Sequence, residues 1–303
     1  MAIKDLPKDE YLLKGNAACP GCPASQALRV VLKALGQNTT MVVPACCTAV
    51  IQGIYPKSAF NVPLMNIAFE AAAACASGIK AGYKAQGNDD TNVLVWAGDG
   101  GSYDIGFQAL SGAAERGTDM IFICYNNQMY SNTGVQRSGA TPYGASTTTT
   151  WTGKLEHNKD LSEIMIAHHI PYVASACVSY PEDLYAKVQK AKSIRGFKFI
   201  EILAPCPPGW RFPMESMVEQ GRLAVESGMW ALYEVENDKM TFTGPSKGIL
   251  EGLRQRKPVV EYMKAQGRFS HLFKPGNEGK MKIIEQHLDV VWDRYRKQSS
   301  CLK

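Results

Sequence analysis

Short unbroken apolar runs alternate along this chain with stretches of helical spacing. Residues 92–97, carrying Val93, Leu94, Val95 and Trp96 in succession, have the pattern of a strand buried on both faces. Residues 39–45, 119–125, 170–178 and 197–203 predict further strands. Between them, Ala27, Leu28, Val31, Leu32 and Leu35 recur at helical spacing, predicting a helix over residues 24–35 that stops at Gly36. Residues 107–116 predict a helix closed by Gly117, and residues 161–168, 181–193 and 217–228 predict three more, with Pro181 in a first turn. The Ala-rich residues 66–83 predict a helix packed closely against other backbone, and Glu70 falls within it. Residues 229–243 predict a strand or hairpin. Residues 258–303 are charged with helical pattern, predicting a solvated helix or a subunit contact. Strands alternating with helices define an α/β fold with a doubly wound, mostly parallel sheet. We expect an α/β domain over residues 1–240 and a mainly helical extension over residues 241–303.

Ligands in such sheets bind beyond the carboxyl ends of the strands. Two predicted strands end there in oxygen-bearing side chains. The first runs into Gly98-Asp99-Gly100-Gly101, where glycines admit close backbone approach and one carboxylate remains to face a ligand. The second ends at Asn126-Asn127. A carboxylate and an amide carbonyl held together suit a hard cation such as Mg²⁺, which commonly bridges protein to phosphate oxygens. The chemistry alone therefore predicts a Mg²⁺–diphosphate site. No Gly-x-Gly-x-x-Gly opens a helix here, which argues against a dinucleotide site. Residues 132–150 form a long loop rich in hydroxyl and amide groups, suited to a small carboxylate substrate; long loops in compact domains are commonly functional.

Composition excludes more than it selects. The 303 residues, 45% hydrophobic and 20% charged, are ordinary for a globular protein. Thirty-three basic against 28 acidic residues leave +5, and no aromatic–basic interleaving suggests nucleic-acid binding. Without an apolar leader or a run of about 18 apolar residues, neither secretion nor a membrane span is expected, and the chain is placed in the cytoplasm. A disulfide scaffold is not expected there, so nine cysteines require another reason. Cys19, Cys22, Cys47 and Cys206 fall on turns, the first two as Cys-x-x-Cys; Cys46 competes with Cys47. Such a set could hold zinc or an iron–sulfur cluster, and the spacing does not choose between them. Cys75, Cys124 and Cys177 sit in apolar segments as small hydrophobes, and Cys301 lies in the tail. His168 and His169 read as a surface pair near a helix end.

Asp99 and Asn127 lie 28 positions apart with strand–turn–helix–strand logic between them, which resembles the thiamin diphosphate-binding motif in type, order and length. Over about residues 10–235 the chain resembles the β subunit of the 2-oxoacid:ferredoxin oxidoreductases, the pyruvate branch in particular. The resemblance is carried by Ala18-Cys19-Pro20-Gly21-Cys22, Pro44-Ala45-Cys46-Cys47, Ala68-Phe69-Glu70, Gly98-Asp99-Gly100-Gly101, Tyr130-Ser131-Asn132-Thr133-Gly134, Ala140-Thr141-Pro142-Tyr143-Gly144 and Ala204-Pro205-Cys206-Pro207. It implies Mg²⁺ held by the Asp99 and Asn127 side chains and the Met129 carbonyl. Thiamin diphosphate would rest on Gly98, Gly100, Gly101 and Thr133, with Asn132 facing the reacting carbonyl. Cys19, Cys22, Cys47 and Cys206 would ligate a [4Fe–4S] cluster. Pro23, where related chains often carry Gly, departs from the pattern and should alter the turn without removing a ligand. The resemblance further implies oxidative decarboxylation of a 2-oxoacid to an acyl-CoA, with pyruvate, oxalate, 2-oxoisovalerate or 2-oxoglutarate as substrate. Electrons would pass to ferredoxin. The implied partners are a pyrimidine-binding α subunit, a γ subunit and a ferredoxin-like δ subunit. The carboxylate that activates the cofactor would come from another subunit rather than from Glu70. A non-redox thiamin lyase with structural zinc is the competing expectation.

Overall fold

The computed structural model describes residues 3–300, so Cys301 lies outside the described residues. In chain order the strands are Thr39–Pro44 (β1), Leu64–Ile67 (β2), Asn92–Gly98 (β3), Met120–Asn126 (β4), Tyr172–Cys177 (β5), Phe197–Leu203 (β6), Tyr233–Glu236 (β7) and Lys239–Phe242 (β8). They form one sheet in the order β2-β1-β3-β4-β6-β5-β7-β8. The first six are mutually parallel, and the β7–β8 hairpin adds antiparallel to β5. β1, β4, β5 and β6 are buried along their whole length, which is why they read as continuous apolar runs rather than alternating ones. Trp96 of β3 stacks on Tyr125 of β4 with ring centroids 5.2 Å apart, and Phe122 faces Phe199 across β4 and β6 at 6.0 Å.

Helices flank this sheet. Pro23–Leu35 buries Ala27, Leu28, Val31, Leu32 and Leu35, the stripe its spacing predicts, and packs against Pro181–Ser193. Ala72–Ala85 packs on Phe107–Glu115. The expected helix over residues 66–83 is corrected here. Its first residues belong to the edge strand β2, which pairs Leu64–Ile67 with Met41–Pro44. A four-residue, half-exposed edge strand leaves too little pattern to outweigh the alanines that follow it. Glu70 accordingly sits in the turn before the helix, not inside it.

After β8 the chain returns along the sheet. In the helix Glu278–Ser300, Ile284, Leu288, Trp292 and Tyr295 are buried at helical spacing. Trp292 donates to the Gly228 carbonyl at 2.9 Å, and Tyr295 packs on Tyr233 and Phe242 of the hairpin. The opposite face stays exposed at Ile283 and Val290. Among the described residues no helix is long and apolar enough to cross a membrane.

Sheet order locates the crevice. From β1 the chain goes one way to β2, then crosses back to β3 on the other side of β1. This reversal opens a gap at the carboxyl ends of β1 and β3, where doubly wound sheets bind ligands. The amino ends are closed instead by charge. Asp119, just ahead of β4, pairs with Lys198 at 2.6 Å, Lys80 at 3.2 Å and Arg195 at 3.2 Å. Burial pushes the Asp119 carboxyl up, but the Lys198 and Lys80 ammonium groups outweigh it and hold it below 3.8. Lys198 is nearly fully buried, so Asp119→Asn leaves it without its counter-charge and should cost about 3 kcal/mol at pH 7. A depressed carboxylate contributes stability above its unfolded value and loses it as pH falls through the folded one. Urea titration of wild type and variant should therefore show the gap closing below pH 3.8.

Candidate active site

β3 ends at Gly98, and residues 100–104 form a wide helical turn of the π type, a form common at functional sites. Gly98, Gly100 and Gly101 all keep negative φ, so what this turn needs from glycine is room. A Cβ at Gly100 would enter the Tyr130 ring, one at Gly101 would lie 3.1 Å from Phe69, and one at Gly98 would lie 3.3 Å from the Tyr125 hydroxyl.

Asp99 is 1% exposed. Its Oδ2 accepts from Ser138 Oγ at 2.5 Å and its Oδ1 from the Asn127 amide at 3.3 Å. Among the described residues no cationic side chain pairs with it. Burial pushes its pKa up to about 7, against the pull of those two donors. A buried carboxylate so poorly compensated is chemically matched to a cation.

The Asn127 loop is held from both sides. Gln128 adopts a left-handed backbone (φ 66°), with its amide donating to Asn126 Oδ1 at 2.8 Å and its carbonyl accepting from Thr141 Oγ1 at 2.7 Å. Asn127 Oδ1 accepts from the Met129 amide at 3.3 Å, and the Asn127 carbonyl accepts from Trp210 Nε1 at 2.8 Å. The structure thus brings Asp99, Asn127 and Met129 together. Asn132 and Thr133 lie on the exposed rim, and the Thr133 hydroxyl is engaged by Gln136 at 2.6 Å rather than turned toward Asp99.

Beneath the loop lies a carboxylate that residue patterns did not single out. Glu201 of β6 is buried and accepts from Tyr103, from Asn126 Nδ2 at 2.7 Å and from Ser162 Oγ at 2.7 Å. It ties the turn after β3 to the end of β4, and burial pushes its pKa up. The available signal was a Glu inside the apolar run of residues 197–203. A cavity of about 290 Å³ opens behind this network, with Tyr103, Glu201, His157 and His287 in its wall. His168 and His169 lie away from the site, against Ser111 and Asp238.

Three of the turn thiols stand at helix starts. Cys22 precedes the helix Pro23–Leu35, Cys47 opens Cys47–Ile51 after β1, and Cys206 precedes Pro207–Trp210 after β6. Pro23 occupies the first position of its helix, where proline is favoured because no amide is needed. Cys47 is pushed up to about 12, first by burial and then by the negative charge of Cys206, Cys46, Cys22 and Asp99. Cys206 is raised by burial and by Cys22 and Cys19, while the Gly209 amide and the Ser131 hydroxyl pull it down. Ser131 Oγ is buried with no oxygen or nitrogen partner, leaving that thiol as its neighbour. The Cys46 thiol has other neighbours: burial pushes it up, while Tyr125 and Thr48 pull it down. All eight described cysteines are free. A tetrahedral zinc site places its sulfurs about 3.8 Å apart, and among the described residues no such compact group of ligands exists. Cys47 feels the charge of Cys206 and Cys22, and Cys206 that of Cys22 and Cys19, so the four turn thiols share one neighbourhood. Gly209 joins both halves of the site: a Cβ there would strike Met129 Sδ and lie 3.3 Å from Cys206 Sγ.

Comparison with known proteins agrees with this geometry. Residues 45–202 match the family model described as thiamine pyrophosphate enzyme, C-terminal TPP binding domain. The chain is 47% identical to the pyruvate synthase subunit PorB of Methanothermobacter thermautotrophicus, over 96% of this chain and 99% of that one. It is 46% identical to the ketoisovalerate oxidoreductase subunit VorB of Pyrococcus abyssi, covering 96% and 94%. Its fold is shared with the 2-oxoglutarate:ferredoxin oxidoreductase from Magnetococcus marinus, with a TM-score of 0.58 over 71% of this chain and 80% of that one, at 21% identity. The chain therefore belongs to the thiamine pyrophosphate enzymes and, within them, to the β subunits of the multi-subunit 2-oxoacid:ferredoxin oxidoreductases.

Proposed function

We propose that this chain binds Mg²⁺–thiamin diphosphate and a [4Fe–4S] cluster in the β1/β3 crevice and, with partner subunits in the cytoplasm, oxidatively decarboxylates pyruvate. The observation that carries this reading is the buried, uncompensated Asp99 beside Asn127, with the Cys47 thiol near enough to feel its charge. When bound, the two groups supply an electron sink for decarboxylation and a one-electron acceptor.

The chain's own residues hold and orient. Asp99, Asn127 and the Met129 carbonyl would ligate Mg²⁺, and Gly98, Gly100 and Gly101 are the residues we assign to the diphosphate. Ser138 fixes the Asp99 rotamer, while Glu201 fixes Asn126 and, through it, the ligand next door. Asn132, exposed at the rim, is the residue we assign to a substrate carbonyl, with Thr133 next to it in the chain. Cys19, Cys22, Cys47 and Cys206 are the ligands we assign to the cluster. Glu70, in a turn outside the Asp99–Asn127 pair, leaves the activating carboxylate to the pyrimidine-binding α subunit. A γ subunit, a ferredoxin-like δ subunit, coenzyme A and ferredoxin complete the reaction we assign. The curated relatives divide between pyruvate and ketoisovalerate at nearly equal identity, so branched 2-oxoacids are the second substrate class to test.

Asp99→Asn should abolish Mg²⁺-dependent uptake of thiamin diphosphate, measured by calorimetry on the purified complex. Ser138→Ala, which only loosens the carboxylate, should weaken it about 10-fold. Unchanged affinity in Asp99→Asn would remove the metal assignment. Iron and sulfide analysis of anaerobically purified variants separates the adjacent cysteines: Cys47→Ser and Cys206→Ser should lose the cluster, and Cys46→Ser should keep it. Turnover with pyruvate, 2-oxoisovalerate, 2-oxoglutarate and oxalate then ranks the substrates, and pyruvate should lead.

A further inference from the structure

Arg268 is fully buried, yet every partner of its guanidinium is neutral. Nε donates to Gln266 Oε1 at 2.8 Å, and Nη2 donates to Gln128 Oε1 at 2.7 Å and to the Tyr262 hydroxyl at 3.0 Å. The plane stacks on Trp210, 3.7 Å from the ring centroid. Nη1 is buried with no partner at all. No carboxylate forms an ion pair with it among the described residues, and exposed Arg211 nearby adds positive charge rather than cancelling it. Burial and Arg211 lower its pKa only to about 10, so it stays cationic at neutral pH. A buried charge without a counter-charge is strongly unfavourable. A fold that keeps one has an anion to set against it.

The structure points to that anion. The Trp210 amide donates to the Cys206 carbonyl at 2.8 Å, and Cys206 lies close enough to raise the Arg268 pKa. Trp210 carries the guanidinium on its face and lies in the short helix that begins immediately after Cys206. We infer that Arg268 is a positioning residue that serves as the buried counter-cation of the thiolate-held centre, raising its reduction potential by favouring the more negative, reduced state. This rests on the iron–sulfur reading given above. The physical basis is the same Coulomb attraction that shifts buried acids, made strong by the absence of water around the guanidinium.

The test is a redox titration followed by electron paramagnetic resonance on the full chain, reconstituted anaerobically with iron and sulfide. Arg268→Gln and Arg268→Met should move the midpoint to more negative potential, and Arg268→Lys, which keeps the charge, should return most of the shift. Loss of iron from the two neutral variants but not from Arg268→Lys reports the same charge requirement as cluster uptake. Tyr262→Phe removes a neutral partner and leaves the cation, so its midpoint should stay at the wild-type value. A midpoint indifferent to charge at position 268 overturns the inference alone, as does a Tyr262→Phe shift as large as that of Arg268→Gln. A wild-type chain that takes up no iron overturns the iron–sulfur reading, and this inference with it.

Discussion

A carboxylate buried without a counter-ion organises one edge of this sheet. Asp99 can be kept there because Ser138 and the Asn127 amide take part of the load that water would otherwise carry. Everything around it follows from holding those donors still. Thr141 holds Gln128, Glu201 holds Asn126, and Trp210 holds the Asn127 carbonyl. Each contact comes from a different part of the chain, so the site is assembled by the fold rather than by any one loop. The reversal of strand order between β1 and β3 gives these contacts a gap to surround.

The legible part of the sequence was the part written in period and punctuation. Fully buried parallel strands leave uninterrupted apolar runs, and the turn after β3 leaves glycines around a single acid. Both are local signals. Glu201 and Arg268 are not: Glu201 depends on Asn126, 75 positions away, and Arg268 on Gln128, 140 positions away. The edge strand β2 was hidden for another reason, since four half-exposed residues before an alanine run carry almost no periodicity. Cys46 and Cys47 could not be separated by spacing because they are adjacent. Their surroundings differ: Tyr125 and Thr48 act on Cys46, and Cys206 and Cys22 act on Cys47.

The C-terminal helix adds an asymmetric layer. Its buried face is fixed on the hairpin by Trp292 and Tyr295, and its outer face presents Ile283 and Val290 to solvent in this single chain. A multi-subunit enzyme has use for such an element, because a helix already immobilised on one side loses little further freedom when a neighbour covers the other.

Gly209 has an effect larger than its size. Because its backbone lies against both the Met129 sulfur and Cys206, the loop that reaches the acid–amide pair and the loop that carries a thiol are one mechanical unit. Loosening either loosens both. Damage to this protein should therefore be cooperative: a molecule whose Met129 loop has slipped also exposes the Cys206 sulfur, and oxygen can then make a reversible slip permanent.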